Sequence, residues 1–245
     1  MNSKSLIIII LLGFSSYLFA SSFTGCALEK SIEIEDDSLS DRPFIKFLSQ
    51  EQGKIAILDE SLELYFSNLQ EKEIYTFIGE KPPANNLDSA RVFAREKFSS
   101  AVIAFSSDEK ACISYVINKM KQALNDHHLD MIANHPWKFI KTEDWLCGGF
   151  AFTRGDHIIM SQKHLDFLTS KWREEMTSAD QNELINRLGA LLIHEQMHCL
   201  QRTHKNIFDI LYDSWEFKKV SVQSENYITI NQVSNPDAPI PEWAF

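Results

Sequence analysis

The chain has 245 residues, 44% of them apolar and 11% aromatic, with a formal charge of −10. That is enough apolar material for one packed domain and argues against disorder. The acidity, with no basic patch, excludes nucleic acid as a partner and fits a soluble surface.

The first stretch reads as an address. "MNSKSLIIIILLGFSSYLFASS" has a basic Lys4, an apolar run from Leu6 to about Ala20, and small residues at Ala20, Ser21 and Ser22. That layout predicts a secretory signal peptide over residues 1–22; the alternative is an uncleaved N-terminal anchor. "FTGC", Phe23 to Cys26, resembles the lipobox of bacterial lipoproteins, which implies a signal ending at 25 and lipid on Cys26. No later segment is apolar enough to span a membrane. The chain is therefore expected outside the cytoplasm, periplasmic or extracellular, with any membrane attachment through that lipid. Residues 27–45 include the acidic "EIEDDSLSDRP" and read as a tether. An exported chain can form disulfides, and Cys112–Cys147 is the preferred pairing among the four cysteines.

From residue 46 the pattern predicts one α+β domain, mostly helical, with a small antiparallel or mixed sheet. A helix is predicted within "LDESLELYFSNLQEKEIYTFIG", capped by Asp59 and closed by Gly79. Two more follow in "DSARVFAREKFSSAVIAF" and "SSDEKACISYVINKMKQALN", the second opened by a Ser106/Glu109 capping box. "NDHHLDMIANHPW" reads as loop, with His127 and His128 at the surface. Strand-like runs come next at Trp137–Ile140, Phe150–Thr153 and His157–Met160, with a hairpin turn at Gly155-Asp156. The catalytic part would run from about residue 100 to 245.

"TSADQNELINRLGALLIHEQMHCLQR" is a strong helix prediction, with a capping box at Ser178/Gln181 and a stripe of Leu184, Leu188, Leu191 and Leu192. His194 and His198 stand at i and i+4, so both imidazoles leave one face and can reach one ion. Glu195 projects about 100° further round, placed to reach a water on that ion without binding it. The residue types fit Zn²⁺: two neutral imidazoles hold the metal, and a carboxylate takes a proton from a water acidified by it. Cys199 follows His198 directly and points off the histidine face.

"HEQMH" resembles the signature of the zincin metallopeptidases. The resemblance implies an active-site helix beneath a small sheet, whose edge strand holds a peptide substrate in extended form; "FAFTRGDHIIM" stands where that strand would be. It implies Zn²⁺ as cofactor, a peptide or protein substrate and, for a single domain, a monomer. Two branches differ over the third ligand. "HEQMHCLQRTH" has metzincin spacing, which implies His204, but Gln201 replaces that branch's glycine and no methionine or glycine follows Met197. Gluzincin spacing implies an acid on the next helix, "NIFDILYDSWEF", where Glu216 is 18 residues past His198 and Asp213 and Asp209 share the stripe. His157, Tyr212, Arg154 and Arg202 are candidates to stabilise an oxyanion. The expectation is a zinc-dependent endopeptidase with Glu195 as general base. The alternatives are an exported zincin-like binding module without peptidase activity, or a metal-storing scaffold.

Overall fold

A computed structural model describes residues 44–82, 86–173, 175–219, 235–237 and 243–244. The predicted leader, Cys26 and most of the predicted tether lie outside the described residues. The tether's last residue, Ile45, belongs to the fold, because the first strand begins there.

The architecture is α+β, with a small mixed sheet between two groups of helices. Strand β1 (Ile45–Phe47) runs parallel to the first half of β3 (Trp137–Thr142), and β2 (Val102–Ile103) runs antiparallel to its end. On the other side of β3, strand β5 (His157–Ser161) is parallel, with Ile158 opposite Phe139. Strand β4 (Phe152–Arg154) folds back antiparallel on β5 and forms the outer edge. The turn between them uses Gly155 at φ 55°, a left-handed backbone that glycine adopts without steric cost.

Alternation along the strands builds two cores. Trp137, Phe139, Ile158 and Met160 face one way. They pack with α5 (Ser107–Asp126), α6 (Asp130–Asn134), α7 (Gln162–Thr169), α8 (Ser178–Thr203) and Phe208 of α9 (Lys205–Ser214). Ile140, Phe152 and Ile159 face the other way. Their partners come from α2 (Tyr65–Asn68), α3 (Glu71–Ile78) and α4 (Leu87–Ser100), which follow α1 (Gln50–Ala56). Lys141, on the first face, is buried and meets Glu109 of α5 at 2.8 Å. Glu109 also accepts from Ser106 N–H at 2.7 Å, so the predicted capping box is formed.

Several elements depart from the sequence reading. The single helix expected up to Gly79 is two, broken at Leu69, whose backbone is extended (ψ 137°). Asp59 makes a local turn with Ser61 instead of a cap. The expected loop after α5 contains α6. Helix α7 was not foreseen, nor were β1 and β2, which are too short to show a period. The cap of α8 is Thr177, whose hydroxyl accepts from Asp180 N–H at 3.2 Å; Ser178 is already inside the helix. Cys112 and Cys147 are free and buried in the cores on opposite faces of the sheet, so they are not the expected bridge. Among the described residues no helix is long and apolar enough to cross a membrane.

Candidate functional site

Helix α8 carries the site because its two faces have different neighbours. Leu184, Leu188 and Leu192 are buried against the first core. Gly189 lets the helix approach α5 closely, since a Cβ there would come within 2.5 Å of Met120 Sδ. Two turns on, Gln196 donates to the carbonyls of His135 (3.2 Å) and Pro136 (3.4 Å), which ties α8 to the entry of β3. The helix also packs on β4 and β5.

His194 and His198 then converge as their spacing predicts. Their Nε2 atoms are 3.3 Å apart, and the rings stand nearly perpendicular at 87°. That separation serves either an N–H···N hydrogen bond or two lone pairs sharing one cation. For tetrahedral zinc with Zn–N near 2.0–2.1 Å, two nitrogens lie roughly 3.3 Å apart, so the pair has the bite zinc requires. The other nitrogen of His198 is held from behind: Nδ1 is 2.8 Å from Gln201 Oε1, and Gln201 Nε2 donates to Tyr212 Oη at 2.6 Å. A carbonyl acceptor at Nδ1 selects the tautomer with its lone pair on Nε2, the usual support of a metal-binding histidine. Burial lowers the pKa of His198, which Asp237 and Gln201 only partly oppose, so the ring is neutral as a ligand must be.

Glu195 is 2% exposed, and its Oε2 has no hydrogen-bond partner among the described residues. Burial pushes its carboxyl up to about 9; the charge of Asp237 adds to the rise and that of Arg202 opposes it. A buried carboxyl oxygen without a partner is costly unless a cation or a water meets it. The orphaned oxygen and the 3.3 Å histidine bite both fit a cation-bound water beside α8.

The third-ligand candidates are elsewhere. His204 caps α8, six residues past His198; its Nδ1 lies 2.9 Å from Thr203 Oγ1 and its ring 5.5 Å from that of His135. Helix α9 ends at Ser214, so Glu216 is exposed in a left-handed turn (φ 67°) and off the stripe. Asp213 is exposed, and Asp209 meets Lys219 at 2.8 Å. Among the described residues no three His, Cys, Asp or Glu side chains form a metal-holding group.

The oxyanion candidates are brought near one another but are engaged. Arg154 is fully buried; it donates to Glu63 and to Asp59 O (3.0 Å) and lies over the Tyr65 ring. Arg202 donates to the other oxygen of Glu63 at 2.8 Å, to Thr153 Oγ1 at 2.6 Å and to the carbonyl of Asp237. His157 Nδ1 is 3.1 Å from Asp156. Tyr212 supports His198 through Gln201. Sequence reasoning missed Glu63, Thr153 and Asp237, which come from distant parts of the chain. Gln201 was legible: it stands at i+3 from His198, on the same face.

No protein-family model matches the chain, and no curated protein or solved structure was found to match it.

Proposed function

We propose that this protein is an exported, zincin-like zinc metallopeptidase, with His194 and His198 holding the metal and Glu195 as the proton carrier. The observation that carries the reading is the 3.3 Å Nε2 pair beside the buried, unpartnered Glu195 Oε2. The placement of α8 against a small sheet with β4 at its edge supports it. Zinc held by the two imidazoles would acidify a water and polarise a peptide carbonyl. Gln201 fixes the His198 tautomer and Tyr212 fixes Gln201. Burial favours the protonated Glu195 carboxyl; a zinc charge beside it would favour the carboxylate, whose Oε2 could then take a proton from a water and return it to the leaving amine. The outer strand β4 is the edge along which an extended peptide would align.

The test is elemental analysis of the mature chain with its His194→Ala, His204→Ala and Glu195→Gln variants, together with cleavage of an unfolded protein such as casein. The expected result is one zinc per chain, lost in His194→Ala, and turnover lost in Glu195→Gln with zinc retained. Loss of zinc in His204→Ala as well would make His204 the third ligand; retention turns attention to Glu216. A wild-type chain that takes up no zinc on reloading defeats the reading. Zinc without turnover would leave a binding module or a metal-storing scaffold.

A further inference from the structure

Thr153 is the middle residue of the edge strand, and its N–H is turned away from β5. There it donates to Asp237 Oδ1 at 2.6 Å, and its hydroxyl donates to the same oxygen at 2.8 Å. The hydroxyl is polarised from behind, because Arg202 Nη1 donates to it at 2.6 Å. The guanidinium donates at the same time to the Asp237 carbonyl, so side chain and main chain of one acidic residue are both gripped. The receptor is built into the fold: Thr153 is fully buried, Arg202 has 9% of its side chain exposed and Asp237 is 8% exposed. Its charge needs an acid. Arg154 and Arg202 share the carboxylate of Glu63, so two guanidiniums stand beside one paired acid.

We propose that the edge of β4 is a recognition site for an acidic residue of an extended peptide, and that the chain's own Asn235–Asp237 segment is its resting occupant. An acidic side chain from a peptide must take the Thr153 N–H and hydroxyl that Asp237 holds, so the two compete for those donors. Resting on the peptidase reading, this makes the preferred substrate a peptide with an aspartate or glutamate at the Thr153 position, and makes Asp237 a self-inhibitor. A tethered occupant acts at an effective concentration in the millimolar range, so it masks the site against weak free ligands.

The test needs neither zinc nor turnover, so it stands or falls apart from the peptidase reading. A fluorescein-labelled, capped peptide with the sequence Val-Ser-Asn-Pro-Asp-Ala-Pro, and its twin with asparagine for aspartate, are titrated by anisotropy into full-length wild type and Asp237→Ala. Asp237→Ala should bind the aspartate peptide at least about tenfold more tightly than wild type does, and at least about tenfold more tightly than the asparagine twin. A folded Asp237→Ala that binds neither peptide, or both equally, overturns the proposal. Where that variant fails to fold, hydrogen exchange on the wild type decides. A resting occupant leaves without global unfolding, so the Thr153 amide should exchange well before the amides of β5; equal protection would make Asp237 a permanent strut and refute the idea.

Discussion

The charge arrangement beneath the site can be tested through Glu63. Its two oxygens serve different guanidiniums, Oε1 that of Arg154 and Oε2 that of Arg202, at 2.8 Å for the latter. Glu63→Gln is nearly isosteric, but an amide has one acceptor oxygen and one NH₂. Whichever way it turns, one guanidinium meets a donor. Arg154 is fully buried and its Nε already has no partner, so the amide oxygen goes to Arg154. Arg202 then keeps only Thr153 and carbonyl oxygens as acceptors and is left as an unpaired buried charge beside the tail. Breaking a buried ion pair costs about 3–5 kcal/mol, and with a urea m-value of roughly 2 kcal/mol/M the midpoint should fall by about 1.5–2.5 M. Urea unfolding followed by Trp fluorescence measures it, with Glu183→Gln as control, because that glutamate pairs with Lys171 and Arg187 at the exposed surface and should leave the midpoint unchanged. A drop in Glu63→Gln of under about 1 kcal/mol at unchanged m would show that water reaches the triad, and the argument for a buried, charge-balanced receptor would go with it.

Gln201→Leu removes the acceptor at His198 Nδ1 and should weaken zinc binding about 10–100-fold in competition with a chelator, leaving the fold intact. The Glu109 carboxyl sets an acid limit: burial alone would raise its pKa, but hydrogen bonds from Lys141 and Ser106 outweigh it and hold it below the ordinary value. Its contribution is present above the unfolded pKa and lost as pH falls through the folded one, so urea midpoints should drop on acidification, and less steeply in Glu109→Gln. In Gly53→Ala the new Cβ would meet Val102 Cγ1 at 2.8 Å and Ile140 Cγ2 at 3.3 Å, both on short branched side chains. Overpacking of about 1–3 kcal/mol should exceed the gain of about 1 kcal/mol in helix propensity, lowering the thermal midpoint.

What the sequence determined by itself was local. A helix repeat places His194, His198 and Gln201 on neighbouring positions of one face whatever surrounds them, and period-two alternation with a Gly-Asp turn defines the β4–β5 hairpin. Ser106 and Glu109 lie three residues apart and meet as a cap within one turn. What only the tertiary structure decided was every relation across the chain. The separation of Cys112 from Cys147 follows from the sheet lying between the two cores. Glu63, Thr153, Arg202 and Asp237 meet from four separate segments. Nothing in their spacing marks them, because contacts between distant residues follow from packing and charge balance in three dimensions, which no local repeat encodes.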